Sequence, residues 1–283
     1  MIGVISYNHP QSLAEALSLM AADIYQPIAG GTDLIPQLRV SQPTRVLDVG
    51  GLGLNTIGDD GEYIEIGAAC THTMITENKL VRQFAPLVGI ASSMVGSCQI
   101  RNRGTIGGNI VNASPCADTV PALLIYDSEV TLESSTGTRT MKLSDFTTRP
   151  YTTDRKPNEL LRSIRCKKIL NTTGHSYIKL GRRQAVNISR MTVAASLGIE
   201  SDVIKDIRIS GGSVFPVTSR MSELENILLN RKLTPELINE AGKFAAELMI
   251  KQSGYRWSTP YKEPVLTGLI KRALHESWQG KFN

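Results

Sequence analysis

The stretch Gln99–Asp118 reads QIRNRGTIGGNIVNASPCAD, and it decides how the rest of the chain is interpreted. Three glycines, Gly104, Gly107 and Gly108, stand among short polar residues with few bulky side chains. Glycine permits a positive φ and lets another group approach the backbone closely, so a loop of this composition can turn several N–H groups toward one point. The stretch predicts either a phosphate cradle or a tight turn between two packed elements, and the pattern alone leaves both open.

A second glycine-rich segment lies far upstream, at Ile28–Asp33, with the sequence IAGGTD. It follows a helical pattern and ends in a hydroxyl and a carboxylate, Thr32 and Asp33. Neither segment fits the G-x-G-x-x-G dinucleotide fingerprint or the G-x-x-x-x-G-K-[ST] phosphate loop. Two separate glycine loops can hold one pyrophosphate from both sides, so the pair predicts a dinucleotide ligand.

These motifs resemble those of the FAD-binding subunit in the xanthine dehydrogenase and carbon monoxide dehydrogenase family of molybdenum hydroxylases. The stretch YIKLGRRQA at Tyr177–Ala185, followed by Asn187–Ser189, agrees with the same family. The resemblance extends from Tyr7 to about Leu274. It is closest to the separate FAD chain of bacterial xanthine dehydrogenases, which also share the LIYD sequence found here at 124–127.

The resemblance implies which residues contact FAD. The first glycine segment and the residues before it would wrap the diphosphate, and TIGGN would hold the same cofactor. Asp118 would bind a ribose or ribityl hydroxyl, Val95 would line the flavin where some relatives carry an aromatic residue, and Lys179 would place a cation near the reduced ring. Without the resemblance, Lys179 fits a solvated lysine at a strand end equally well. The predicted set is Gln26, Pro27, Ile28, Ala29, Gly30, Gly31, Thr32, Asp33, Val95, Thr105, Ile106, Gly107, Gly108, Asn109, Asp118 and Lys179.

The resemblance also implies an oxidoreductase subunit whose redox chemistry belongs to the cofactor, while the protein supplies binding and electrostatics. Such a subunit takes electrons from a 2Fe–2S iron–sulfur partner and passes a hydride from FAD to NAD+. A molybdopterin-binding large subunit would oxidise the substrate, expected to be xanthine or hypoxanthine, in a heterotrimer or its dimer. The alternatives are the equivalent subunit of a CO, aldehyde or nicotinate dehydrogenase, a stand-alone FAD reductase, and a nucleotide-binding regulatory module.

Composition and charge narrow the class of protein. The 283 residues, of which 41% are apolar, are typical of two ordinary α/β or α+β domains. The formal charge of +5 comes without a basic stripe interleaved with aromatics, which argues against nucleic-acid binding. The densest basic cluster, Arg162–Lys168, indicates either a solvated edge or a docking surface for an acidic partner or a nicotinamide dinucleotide. We expect a cytoplasmic protein, because no apolar run could span a membrane and the N-terminus lacks signal-peptide features.

Independent catalytic or metal-binding machinery is not evident in the sequence. The four cysteines make no C-x-x-C pair and no zinc pattern with the four histidines, so we expect reduced, buried or semi-buried thiols. One branch of the resembled family carries an iron–sulfur cluster on a cysteine-bearing insertion, and that insertion is not evident here. No G-x-S-x-G elbow occurs either.

The periodic patterns predict an α+β fold with two domains. Residues 1–170 would form the two-part FAD-binding domain of this flavoprotein type. Residues 173–280 would form a small three-stranded antiparallel sheet with a helical bundle on one face. In the first domain, the local patterns predict a helix capped by Ser12, a helix from Thr76 or Glu77 to Phe84, a hairpin around 134–137 and an exposed polar loop to Asn158. In the second domain, they predict a capping box at SELE (222–225), a helix opened by Pro235 and a last helix after Pro264.

Overall fold

The computed structural model describes residues 3–38, 43–169, 174–183 and 186–280. The chain forms two compact units. The first comprises Met1–Ser114 and Asp127–Lys168, and the second comprises Pro115–Tyr126 and Ile169–Asn283. The sequence predicts that 115–126 belongs to the first domain, whereas this segment groups with the second unit. The predicted boundary at 170–173, and Gln184 and Ala185 of the third motif, lie outside the described residues.

Both helices and strands are present throughout, which confirms the predicted α+β class. The strands are β1 (Val4–Asn8), β2 (Gln26–Ile28), β3 (Thr44–Asp48), β4 (Ile57–Asp60), β5 (Tyr63–Gly67), β6 (Glu129–Ser134), β7 (Gly137–Lys142), β8 (Thr147–Arg149), β9 (Thr152–Thr153), β10 (Leu160–Lys167), β11 (Gly174–Leu180), β12 (Met191–Glu200), β13 (Val203–Gly212) and β14 (Ser219–Arg220). The helices are α1 (Leu13–Ala22), α2 (Leu34–Leu38), α3 (His72–Glu77), α4 (Lys79–Phe84), α5 (Pro86–Ser93), α6 (Cys98–Arg101), α7 (Ile106–Asn112), α8 (Thr119–Ile125), α9 (Leu143–Phe146), α10 (Ser222–Leu228), α11 (Pro235–Ser253) and α12 (Thr259–Trp278).

The first unit begins with a parallel sheet in the order β1-β3-β2. Helix α1 buries Ala16, Leu17 and Met20 against a small core that includes Leu47 of β3. The Ser12 cap is confirmed, because its hydroxyl accepts a hydrogen bond from the Glu15 N–H at 3.1 Å. Strands β1 and β2 have no alternating pattern and are not predicted from the sequence.

The first unit also contains a five-stranded antiparallel sheet in the order β4-β5-β10-β6-β7 and a two-stranded sheet formed by β8 and β9. The predicted hairpin is confirmed as β6–β7. The cations of 162–168 pair with carboxylates on neighbouring strands or in the β4–β5 turn, which favours the solvated-edge interpretation over a docking surface. The pairs are Arg162–Glu133, Arg165–Glu129, Arg165–Asp60, Lys167–Glu62 and Lys168–Asp59.

Three predictions of local structure in the first unit are wrong. The stretch predicted as an exposed polar loop to Asn158 contains helix α9 and strands β8 and β9. The stretch from 72 to 84 is not one helix starting at Thr76 or Glu77, because Asn78 ends α3 and its side chain caps α4 by accepting from the N–H groups of Leu80 and Val81. The quoted stretch Gln99–Asp118 is not one loop either, since it contains helix α7. The glycines of TIGGN lie in the first turn of that helix.

The second unit is built on an antiparallel sheet in the order β11-β12-β13-β14, with one strand more than predicted. Alternate residues of β12, such as Val193 and Ala195, face a core to which α10, α11 and α12 contribute. The predicted start of α11 is confirmed, with Thr234 as its cap.

Two other helix predictions in the second unit, for α10 and α12, are wrong. Helix α10 has no capping box, because Glu225 instead accepts from the Ile209 backbone N–H at 2.7 Å and pairs with Arg220. Helix α12 begins at Thr259 and continues through Pro264 rather than after it. Proline in the second turn removes one backbone donor but does not prevent the helix.

Candidate functional site

A pocket of about 580 Å³ opens in the first unit, and both glycine-rich segments line it. It brings together thirteen of the sixteen predicted site residues. These are Gln26, Pro27, Ile28, Ala29, Gly30, Gly31, Thr32, Asp33, Val95, Thr105, Gly107, Gly108 and Asn109. Ile106 is fully buried behind them. A cavity of this size is typical of small-molecule and cofactor sites.

The first glycine segment presents its backbone to the pocket. In the part of the chain that the structure describes, the N–H groups of residues 30–33 have no hydrogen-bond acceptor. Gly31 has a φ of +70°, a conformation that a Cβ disfavours. A Cβ on Gly30 would lie 1.8 Å from the carbonyl oxygen of Arg103. The segment is therefore held close to the backbone that leads into TIGGN, with free donors left for an anion.

The second glycine segment uses its donors internally. The N–H of Ile106 donates to Cys70 O at 3.0 Å, and that of Gly107 to Ala68 O at 2.9 Å. The N–H of Gly108 donates to Thr105 Oγ1 at 3.1 Å. A Cβ on Gly107 would lie 2.6 Å from Ala68 O. The prediction of an N–H cradle here is wrong, and the packed-turn alternative holds, because glycine serves close contact between α7 and the residues after β5.

His72 lines the same pocket and has no place in the sequence prediction. Its backbone N–H donates to Gly104 O at 3.1 Å, and its side chain is almost completely buried. Burial lowers the pKa of the imidazole to about 4, and the nearby Arg101 cation adds to this effect. Its Nδ1 atom has no partner among the described residues. His72 is therefore a neutral imidazole near neutral pH.

Four polar residues further along the chain also line the pocket: Asn112, Tyr151, Thr153 and Arg155. Asn112 donates to Asp33 Oδ1 at 3.3 Å and accepts from Gln37 at 3.3 Å, so the end of α7 fixes the carboxylate of the first segment. Tyr151, Thr153 and Arg155 lie in the segment predicted as an exposed polar loop, and no local pattern marks them as site residues.

Asp118 and Lys179 lie in the second unit and contact each other. The Lys179 Nζ atom is 2.7 Å from Asp118 Oδ2, and both side chains are buried. The interpretation of Lys179 as a solvated strand-end residue is therefore wrong. The Ser189 hydroxyl donates to Asp118 Oδ1, and the Tyr177 hydroxyl donates to the Asp118 carbonyl oxygen at 2.7 Å. Burial raises the pKa of Asp118 above its ordinary value, while Lys179 and Ser189 act in the opposite direction.

The cysteines and other possible metal ligands are dispersed. Cys70 and Cys166 are buried, Cys116 is half-buried and Cys98 is exposed, so the expectation of buried or semi-buried thiols is wrong for Cys98. Burial raises the pKa of Cys70 to about 11 and that of Cys166 to about 12. Among the described residues, no group of three or more His, Cys, Asp or Glu side chains is placed to hold a metal ion. Within the same ranges, no helix has both the length and the apolar character required to cross a membrane.

Comparison with known proteins covers both units. Residues 3–166 match the family described as the FAD binding domain in molybdopterin dehydrogenase, and residues 176–277 match the CO dehydrogenase flavoprotein C-terminal domain. The glyceraldehyde dehydrogenase medium chain of Sulfolobus acidocaldarius is 32% identical over 96% of this chain and 97% of its own. The xanthine dehydrogenase FAD-binding subunit of Escherichia coli is 26% identical over 98% and 97% of the two chains.

A solved structure agrees with these matches. Carbon monoxide dehydrogenase from Hydrogenophaga pseudoflava contains a chain that superposes with a TM-score of 0.91 at 27% identity, with 100% of both chains covered. The pocket, with its free N–H groups and closely approached glycines, fits a cofactor that carries a diphosphate. The protein belongs to the family of FAD-binding subunits of the molybdenum hydroxylases, and it is an oxidoreductase subunit whose cofactor is FAD.

Proposed function

We propose that the first-unit pocket holds FAD and that the segment Gln26–Asp33 binds its diphosphate. The observation that carries this proposal is the run of unpartnered N–H groups at residues 30–33 in the pocket wall. Consecutive backbone donors of this kind bind phosphate oxygens without a cationic side chain. Val95 and residues 105–109 would shape the pocket wall and not donate backbone hydrogen bonds to FAD. The backbone N–H donors of the TIGGN turn are already used inside the chain.

As the sequence resemblance implies, we also propose that Asp118 and Lys179 of the second unit contact FAD. Each Asp118 oxygen already accepts one hydrogen bond, from Ser189 or from Lys179, and each has a further lone pair for a ribose or ribityl hydroxyl. Lys179 would face the flavin as one member of an ion pair rather than as an isolated cation. The pair has no net charge, so its effect on the reduction potential of the flavin is smaller than that of an unpaired lysine at the same distance.

When bound, FAD would supply the redox chemistry, and the residues of this chain would hold and orient it. We propose a 2Fe–2S iron–sulfur subunit as the electron donor, NAD+ as the acceptor, and a molybdopterin-binding large subunit as the site of substrate oxidation. The family membership supports this division of labour. The arrangement needs no catalytic acid or base on this chain.

We propose xanthine or hypoxanthine as the substrate of the molybdenum subunit, with an aldehyde as the second candidate. Xanthine or hypoxanthine follows from the sequence resemblance, and the 26% identity to a xanthine dehydrogenase FAD-binding subunit supports it. The 32% identity to a glyceraldehyde dehydrogenase medium chain supports an aldehyde as the second candidate. Identity to an FAD chain reports on the substrate only indirectly, because the substrate would bind another subunit.

The purified chain tests the cofactor and the acceptor separately. We expect a yellow protein that releases FAD, and not FMN, on heating. After chemical reduction without oxygen, one equivalent of NAD+ should reoxidise the flavin and yield NADH, measured by absorbance. Reoxidation by oxygen or a dye but not by NAD+ would contradict the proposed acceptor and leave the cofactor site intact. Co-purified partner chains, assayed with xanthine and with glyceraldehyde, distinguish the two substrates.

A further inference from the structure

Arg155 is a cation in the wall of the first-unit pocket that no sequence motif explains. It follows β9 in a segment that contains two prolines and reads as an exposed loop. Of the described residues that line the pocket, only Asp33 and Arg155 carry a formal charge near neutral pH, because His72 is neutral. The pocket therefore contains one fixed cation.

The segment that carries Arg155 is fixed by ion pairs on its other side. The Arg139 guanidinium of β7 donates to both carboxylate oxygens of Glu159, at 2.7 and 2.9 Å, and to Asp154 Oδ2 at 2.8 Å. The Lys156 N–H also donates to Glu159, at 2.8 Å. Glu159 is buried, so this network holds the 154–159 backbone in one conformation. Arg155 is thereby positioned before any ligand arrives.

The guanidinium of Arg155 is only partly used by the protein. Its Nη1 atom donates to the carbonyl oxygens of Glu159 and Lys156, at 2.7 and 3.2 Å. Its Nε and Nη2 atoms have no acceptor in the described ranges. Burial lowers the pKa of Arg155, and the charge of Glu159 opposes this shift. The carboxylate of Glu159 is itself paired with Arg139, so Arg155 has neutral carbonyl partners and spare donors.

We propose that Arg155 pairs with the diphosphate of FAD and supplies the charge-dependent part of the affinity for the cofactor. This inference rests on the proposed placement of FAD in the first-unit pocket. The diphosphate carries the only formal charge of oxidised FAD, and the donors of residues 30–33 that would bind it are neutral. A guanidinium presents a planar set of donors that matches phosphate oxygens, and a partly desolvated cation is stabilised by such an anion.

The test compares wild-type full-length protein with Arg155→Leu, Arg155→Lys and the control Arg149→Leu. Arg149 is exposed, lies in the same unit and does not line the pocket. Flavin-free protein is titrated with FAD, with ADP as a diphosphate without a flavin, and with riboflavin as a flavin without phosphate. Calorimetry and flavin fluorescence give the dissociation constants at ionic strengths of about 0.1 and about 1 M.

We expect Arg155→Leu to weaken FAD and ADP binding by about tenfold to a hundredfold, as for loss of a charged hydrogen bond. Riboflavin binding should not change. Added salt should weaken wild-type binding of FAD more than binding by Arg155→Leu, because salt screens the ion pair. Arg155→Lys should recover part of the affinity, and Arg149→Leu should match the wild type.

The other outcomes separate two kinds of failure. Wild-type protein that binds neither FAD nor ADP would overturn the proposed site together with this role. Wild-type binding of FAD that Arg155→Leu leaves unchanged would overturn only the role of Arg155. If the Leu and Lys variants lose the same FAD affinity and keep the salt dependence of the wild type, Arg155 is a structural residue and does not pair with the diphosphate. Weakened riboflavin binding or an altered reduction potential with unchanged ADP binding would place Arg155 at the flavin ring, also against the proposal.

Discussion

The two glycine-rich segments of the first unit look alike in sequence and use glycine differently. In Ile28–Asp33, four consecutive N–H groups have no acceptor within the described residues. In Thr105–Asn109, each of the last four N–H groups donates inside the chain, to Ala68, Cys70 or Thr105. One segment leaves its backbone donors free in the pocket wall, and the other uses its donors inside the chain.

This difference follows from what surrounds each backbone. Residues 29–33 of the first segment lie between β2 and α2, outside any strand or helix, so the N–H groups of residues 30–33 are not used by secondary structure. The second segment opens α7 directly against the residues that follow β5, whose carbonyls take the first donors of the helix. Glycine content alone therefore does not identify an anion site, and the destination of each backbone N–H does.

The largest expected effect is on stability, from Gly107→Ala. Alanine normally favours a helix by about 1 kcal/mol over glycine. Here its Cβ would lie 2.6 Å from the Ala68 backbone oxygen, which cannot move without disturbing β5. We expect a net loss of about 2–3 kcal/mol in the free energy of unfolding, measured by urea denaturation of the flavin-free chain.

Gly108→Ala, in the same helix, is the matched control. Its Cβ would meet only the Thr105 side chain, at 3.0 Å, so the expected change is within about 1 kcal/mol. Equal stability of the two variants would mean that close packing does not explain the glycine at 107.

The second prediction concerns His72, which lies between the two segments, and it depends on pH. The folded-state pKa of about 4 is below the ordinary value of 6.5. Well above pH 6.5 the imidazole is neutral in both the folded and the unfolded state, so its titration does not change the free energy of unfolding. As the pH falls toward 4, only the unfolded state binds the proton, so the wild type loses about 2 kcal/mol by pH 5 from this residue.

The measurement is the difference in unfolding free energy between wild type and His72→Phe at pH 7.5 and pH 5. Other titrating groups are common to both proteins and cancel. On going from pH 7.5 to pH 5, the wild type should lose about 2 kcal/mol of unfolding free energy relative to His72→Phe. A difference that does not depend on pH would show that the pKa of His72 is the same in the folded and unfolded states, against the effect of burial.

The sequence predicts correctly those elements whose determining residues lie close to one another along the chain. The Ser12 cap and the β6–β7 hairpin depend on residues within a few positions of each other. The role of Gly107 depends on a carbonyl at Ala68, and the buried Asp118–Lys179 pair joins residues 61 positions apart. The family resemblance supplied thirteen of the residues that line the pocket, but no local pattern could reveal which of their backbone donors stay free.

A third prediction separates ligand binding from backbone strain in the first segment. Gly31 has a φ of +70°, and a Cβ there would lie 2.8 Å from the Ile35 side chain. Gly31→Ala should cost about 1–2 kcal/mol of stability, because an L residue disfavours this conformation. It should also weaken FAD binding by about tenfold, since relief of the strain reorients the neighbouring N–H groups.

Gly53→Ala is the control for strain alone. Gly53 has a φ of +71°, has no atom within 4 Å of its Cβ position, and does not line the pocket. The two variants should lose similar stability, and only Gly31→Ala should lose FAD affinity in a fluorescence titration. Full FAD affinity in Gly31→Ala would remove the first segment from the diphosphate site.

The smallest expected effect comes from a substitution in the second segment that leaves the Gly108 N–H without its acceptor. The Thr105 hydroxyl caps α7 through Gly108, and Thr105→Val removes that oxygen at almost constant volume. Loss of such a cap costs about 1 kcal/mol, which denaturation of the flavin-free chain should detect. Thr105→Ser, which keeps the oxygen, should be closer to the wild type.

Because the Gly108 N–H is satisfied inside the chain, FAD affinity should change by no more than about twofold, well below 1 kcal/mol. A tenfold loss of FAD affinity in Thr105→Val, with stability unchanged, would mean that the hydroxyl serves the cofactor rather than the helix, and the contrast between the two segments would fail.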